Sequence, residues 1–263
     1  LEKEKRIIMS FLEIKNLNYK VREKKILKNI NVDFNFGKFY SIIGPNGSGK
    51  TTFIKHLVKV IGLKNNIYLD GKSLNEYRAK DFARKISYVP QIISYEIDFS
   101  CFDVVMMGRN YAQNSLFKLN NKDIEKVEEA MKVTDTYFLK DVSIKDISGG
   151  ERGRVILARA LCQEAECIIL DEPLAHLDIN HQINMMRMLK EINKRLNKTI
   201  IMVNHDINLA IRYSDKIIVF NKGEIEKECN PNEILDKELL NNVYKLNLKD
   251  ENINLEQFFI NFY

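Results

Sequence analysis

The sequence predicts an α/β fold: a mostly parallel core sheet, an N-terminal antiparallel β subdomain and a helical insertion. Three observations carry this. Leu12, Ile14, Leu17 and Tyr19, then Ile30, Val32, Phe34 and Phe36, alternate with polar neighbours at the period of half-buried strands. From Phe39 the apolar runs become unbroken, at Phe39 to Ile43, Cys167 to Leu170, Thr199 to Val203 and Lys216 to Phe220, as in parallel strands covered on both faces. From Ile92 to about Ala165 strand patterns cease, and helical spacing appears at Ile124, Val127, Ala130 and Met131 and again at Val155, Ile156, Arg159 and Ala160.

These elements divide the chain into one domain over 9–245, with the β part and first core segment over 9–91, the helical subdomain over about 92–165 and the returning core over 166–230. Asn230-Pro231 closes the core, and a short helix is expected near Asn232 to Leu240. The tail, 246–263, ends Phe258-Phe259-Ile260-Asn261-Phe262-Tyr263 and reads as a short closing strand pair or as a surface for a partner, the strand being preferred.

A chain of 263 residues can bury one large core or two small ones. Its cysteines, Cys101, Cys162, Cys167 and Cys229, lack C-x-x-C spacing, which argues against a metal cluster or a disulfide framework and fits a reducing compartment. No apolar run approaches the roughly 18 residues of a membrane span, and the charged stretch Leu1 to Ser10 lacks a signal-peptide pattern. The net charge of +5 is spread among acids, as over Lys122 to Lys132, with no basic stripe interleaved with aromatics, so nucleic acid is not expected as a partner.

Between the run ending at Ile43 and a helical segment lies Gly44-Pro45-Asn46-Gly47-Ser48-Gly49-Lys50-Thr51-Thr52. This is the pattern of a phosphate-loop NTPase: backbone N–H groups surround a phosphate, glycines allow close approach, Lys50 reaches the β and γ phosphates, and Thr51 can ligate Mg²⁺. A second apolar strand, Cys167 to Leu170, delivers Asp171 and Glu172 at its C-terminal edge, where ligands bind in open α/β sheets. Asp171 suits the Mg²⁺ shell, and Glu172 suits the orientation or deprotonation of an attacking water. Ile147-Ser148-Gly149-Gly150-Glu151 precedes the helical pattern Arg152 to Gln163, and here two readings stand. The turn is either an anion site at a helix start or an ordinary N-cap in which Ser148 and Glu151 form a box.

Taken together, the phosphate loop, Gln91 after Ile86-Ser87-Tyr88-Val89-Pro90, the Ser-Gly-Gly-Glu turn, the Asp-Glu strand end, Leu177-Asp178 and His205 resemble, in order, the ATP-binding subunits of ABC transporters. The resemblance covers roughly Phe11 to Cys229 and implies ATP and Mg²⁺ as ligands and ATP hydrolysis as the activity. It implies that Tyr19 stacks on adenine, a core aromatic being the alternative, and that Gln91 reaches Mg²⁺ or the attacking water and reports on a membrane partner. It further implies that Ser148, Gly149 and Gly150 meet the γ-phosphate of the opposite subunit, that Asp178 organises the dimer contact, and that His205 senses the γ-phosphate. Ile147, Gly153 and Leu174 depart from the usual Leu, Gln and Thr without removing a phosphate donor.

One loop and one signature per chain imply a homodimer with two ATP at its interface. A finer resemblance, in Phe102 to Arg109, Leu177 to Gln182 and Asn204 to Ala210, is to ATPases of importers for iron-siderophore complexes, haem and cobalamin. It implies integral membrane permease subunits docking near 92–109, an external substrate-binding protein reached through the complex, and a peripheral place on the cytoplasmic face of the membrane. Tyr95, Phe99, Phe102, Val104, Val105, Met106 and Met107 either form that docking surface or fill the core. The alternative function is a soluble ATP-gated clamp on nucleic acid or another protein, the importer being preferred.

Overall fold

The computed structural model describes residues 10–62, 66–91, 98–110, 121–175 and 177–245. The chain forms two compact units, one from Leu1–Glu76 with Thr199–Tyr263 and one from Tyr77–Lys198.

The first unit opens with an antiparallel pair, β1 (Leu12–Val21) and β2 (Lys24–Phe34), with Leu12 opposite Phe34 and Val21 opposite Lys24. Strict alternation ends at Ile14, where the register shifts and the next buried residue is Leu17. Asn16 and Asn29 take left-handed backbone conformations there (φ 49° and 48°), which asparagine tolerates. Each displaced N–H is met by a cross-strand amide, Asn16 N–H by Asn31 Oδ1 at 2.8 Å and Asn29 N–H by Asn18 Oδ1 at 3.0 Å. Then follow β3 (Phe39–Ile43), buried along its length, α1 (Lys50–Leu57), β4 (Ile67–Leu69) and β5 (Lys72–Ser73). β4 adds antiparallel to β1 and β5 to β4.

The second unit contains α2 (Ala79–Ala83), β6 (Ile86–Val89), α3 (Cys101–Met106), α4 (Asn121–Val133), α5 (Gly149–Cys162), β7 (Cys167–Asp171) and α6 (Ile179–Leu196). β6 and β7 pair in parallel. Helices α3 to α5 fall in the expected insertion, and the unit that holds them also includes this strand pair and α6. On α4 the buried stripe departs from the apolar pattern: Ile124 is exposed and Asp123 is buried. The cause is Arg109, whose Nε donates to Asp123 Oδ1 at 3.0 Å while its Nη1 donates to the Cys162 carbonyl at 2.9 Å and to Glu164 Oε2 at 2.8 Å.

The chain then re-enters the first unit through β8 (Thr199–Val203), α7 (Ile207–Tyr213), β9 (Lys216–Asn221), β10 (Glu224–Cys229) and α8 (Lys237–Tyr244). β3 lies parallel to both β8 and β9, and β10 returns antiparallel along β9. An aromatic core forms from Phe34 against Tyr40 (ring centroids 4.8 Å apart) and Phe53 against Phe220 (5.2 Å). The helix expected near Asn232 to Leu240 is displaced: Asn230 and Glu233 box a 3₁₀ turn over Pro231–Ile234, and Asp236 starts α8 by accepting the Glu238 and Leu239 N–H groups. All four cysteines are buried thiols. Among the described residues no helix is long and apolar enough to cross a membrane. The tail 246–263 and Tyr95 lie outside the described residues.

Candidate functional site

In the first unit the phosphate loop leaves β3 and enters α1. Gly44 has φ +142°, and a Cβ there would stand 2.1 Å from the Phe220 carbonyl oxygen, so only glycine lets the loop cross β9 this closely. Gly49 caps α1 at φ 107°, contributes no side chain to its N–H groups, and is followed by a first turn without acids. That leaves the orphan donors and the positive end of the helix for a phosphate. Lys50 is buried and its Nζ donates to the loop's own carbonyls, Gly44 at 2.8 Å and Pro45 at 3.1 Å. The Ser48 hydroxyl is buried without a hydrogen-bond partner. A helix start with no side-chain cap, an ammonium held against carbonyls and an unsatisfied hydroxyl fit an anionic phosphate chain. Because β3 and β8 are parallel, with Ile42 opposite Val203, His205 emerges past the same strand ends as Gly44 and is exposed. Tyr19 is half-buried on β1, with the His56 ring edge-on at 4.7 Å.

The second unit brings together the remaining candidates. β6 and β7 are parallel, with Val89 opposite Leu170, so Gln91 and the Asp171-Glu172 pair leave one sheet edge. Gln91 Nε2 donates to Glu172 Oε2 at 2.7 Å. Glu172 sits at φ 52°, a left-handed conformation that a non-glycine residue adopts at a cost of roughly 1 kcal/mol. Asp171 is buried at the strand end, and burial together with this neighbouring carboxylate pushes the Tyr88 hydroxyl up to about 12. Within this unit, Asp171 and the Gln91 side-chain carbonyl are hard oxygen donors of the kind Mg²⁺ takes.

At the start of α5 the box allowed by the sequence is present. Ser148 N–H and Oγ–H donate to Glu151 Oε2 at 2.9 and 2.7 Å, and Glu151 N–H returns to Ser148 Oγ at 3.3 Å. These bonds from Ser148 hold the Glu151 carboxyl below the ordinary range. The cap and anion readings of this turn are thus compatible in position but compete for one hydroxyl. Asp178 caps α6 by accepting the His181 N–H at 2.9 Å.

A family profile described as ABC transporter matches residues 27–175. The chain belongs to the ABC transporter family. It is therefore an ATP-binding, ATP-hydrolysing subunit of the ABC type. This ABC ATPase is 33% identical over 89% of its length to the petrobactin import ATP-binding protein FpuC of Bacillus anthracis, covering 86% of that protein. It is 35% identical over 84% of its length to the ferric enterobactin transport ATP-binding protein FepC of Escherichia coli, covering 82% of it. Among solved structures it resembles the ATP-binding cassette MJ0796, described as dimeric, in a post-hydrolysis state and bound to ADP and Pi (TM-score 0.72, 27% identity, 84% of this chain and 98% of that one).

Several features of this ABC ATPase escaped the sequence. The departure at Gly153 lies beside α6, where a Cβ would stand 3.3 Å from Met185 Cε. The signature glycines differ: Gly149 has nothing within 4 Å of a built Cβ among the described residues, whereas at Gly150 that atom would fall 2.5 Å from His181 Cδ2. An aspartate followed three residues later by histidine at a helix start is the one signal that marks His181. Of the segment expected to meet a permease, Val104, Val105 and Met106 are buried, while Phe99, Phe102 and Met107 are half-buried.

Proposed function

We propose that the chain couples ATP hydrolysis to the import of a ferric siderophore or related iron chelate. It would work as a homodimer with two ATP at its interface, on the cytoplasmic face of a separate membrane permease fed by an external substrate-binding protein. The observation that carries the coupling is the 2.7 Å hydrogen bond between Gln91 and Glu172. It joins the proposed base for the attacking water to the residue that leads into the segment proposed to meet the permease. The cargo class follows the relatives, whose names specify petrobactin and ferric enterobactin.

In this reading the loop N–H groups from Asn46 to Thr52 and Lys50 bind the phosphates, Tyr19 stacks on the base, and Glu172 orients the water for in-line attack on the γ-phosphorus. Thr51, Asp171 and Gln91 would hold Mg²⁺, whose charge would offset that of the phosphates. His205 senses the γ-phosphate, while Ser148, Gly149, Gly150 and Asp178 serve the opposite subunit's nucleotide. The names of the relatives favour this reading over a soluble ATP-gated clamp on nucleic acid or another protein.

The test is Glu172→Gln studied by light scattering with and without MgATP. Expected are retained ATP binding, turnover lowered by about 10²–10⁴, and a dimer held by ATP. Near-normal hydrolysis would remove Glu172 from the mechanism. A variant that binds MgATP yet stays monomeric would count against a shared site in the isolated subunit.

A further inference from the structure

Asp178 holds two contacts with one residue. Its Oδ1 accepts the His181 N–H at 2.9 Å, and its Oδ2 lies 2.9 Å from His181 Nδ1. The backbone and ring hydrogen bonds from His181 keep the Asp178 carboxyl below the ordinary range. An ionised carboxylate only accepts, so Nδ1 carries the proton and the ring orientation is fixed. The far edge of that ring stands on α5: a Cβ built on Gly150 would fall 2.5 Å from His181 Cδ2 and 3.0 Å from Nε2. A side chain at Gly150 would therefore have to displace the imidazole. One turn on, a Cβ built on Gly153 would stand 3.3 Å from Met185 Cε, so α5 and α6 approach each other over their first two turns.

We propose that His181 is a positioning residue of the ATP-bound dimer: tied to Asp178 and braced on Gly150, it makes the Asp178 turn and the Ser148 turn move as one. The inference rests on the reading that both turns face the opposite subunit. A shift of either turn on nucleotide binding is then transmitted through one ring to the other, and the two arrive at the interface together.

The experiment places His181→Ala and His181→Asn in the Glu172→Gln background. Nucleotide binding is measured with a fluorescent ATP analogue at concentrations too low for dimerisation, and MgATP-driven dimerisation by light scattering. The His181 side chain is 43% exposed, and alanine is a better helix former, so the alanine variant is expected to fold. Alanine should raise the concentration for half-dimerisation roughly tenfold, as expected for a lost hydrogen bond to a charged group, with monomer binding within about twofold of the parent. Asparagine, whose amide nitrogen overlays Nδ1 but which lacks the ring edge that stands on Gly150, keeps the tie to Asp178 without the brace and should stay near the alanine value. If alanine dimerises like the parent, or asparagine restores the parent value, the proposal fails while the shared-site reading stands. If the Glu172→Gln parent stays monomeric with MgATP, the shared-site reading fails and the proposal with it.

Discussion

Arg109→Leu should be among the most damaging single changes in the second unit away from the nucleotide residues. The Arg109 and Asp123 side chains are 9% and 5% exposed, so theirs is a buried ion pair, while Glu164 is 46% exposed. Burial alone would raise the Glu164 carboxyl, but Arg109 and Lys126 hold it below the ordinary range. That exposed contact is screened and contributes about 0–1 kcal/mol. The buried contact dominates, because removing one partner leaves the Asp123 carboxylate without its guanidinium, at a cost of about 3–5 kcal/mol. The Cys162 carbonyl at the end of α5 also loses its donor, for about 1 kcal/mol. Arg109→Leu with Asp123→Leu removes both charges and should lie only about 1–2 kcal/mol below the parent, far from the sum of the single losses. The chain has no tryptophan, so urea unfolding followed by helical circular dichroism, to which α4, α5 and α6 contribute strongly, is the assay. A loss below about 1 kcal/mol for Arg109→Leu, or strict additivity in the double variant, would refute the claim that the buried pair outweighs the exposed contact.

Two further outcomes are expected. Gly44→Ala should unfold at markedly lower temperature and lose ATP affinity at least about tenfold, since its Cβ would enter the Phe220 carbonyl, whereas Gly47→Ala, with nothing within 4 Å among the described residues, should cost only the roughly 1–2 kcal/mol of its positive φ. Equal losses at both positions would mean that close approach to β9 is not what Gly44 is for. Because the Glu151 carboxyl is depressed by its bonds from Ser148, the box should be fully formed above the ordinary glutamate range and be lost as pH falls through the lower folded value. The Ser148 amide resonance followed from pH 7 downward should therefore move with a midpoint below about 4.3, and a midpoint at or above that would contradict the depression.

The legible parts of the fold were those in which burial leaves a simple period. β3, β7, β8 and β9 are buried apolar runs of five or six residues, a length that favours a strand over a buried helix. β10 stayed hidden because it carries Glu224, Glu226, Lys227 and Glu228, with only Ile225 and Cys229 to mark it. β4 and β5, three and two residues long, are too short to show any period. Asp123 on α4 was invisible for the opposite reason, since a buried charge looks like surface until Arg109 is found 14 residues away. The phosphate loop and the Asp-Glu strand end were legible from local chemistry. The contact of Gln91 with Glu172 was not, because it spans 81 residues and depends on β6 and β7 lying side by side.

The two adjacent glycines of the signature answer to different masters. Gly150 is constrained from within, by an imidazole of its own chain, whereas nothing among the described residues occupies the space a Gly149 side chain would fill. An alanine at Gly149 would cost the isolated subunit little and would even favour the helix it begins. Intolerance at that one position, in an assembled transporter, would therefore gauge an outside surface pressing on it, free of any contribution from folding. Two residues that look interchangeable in the sequence thus separate the demands of building the subunit from the demands of using it.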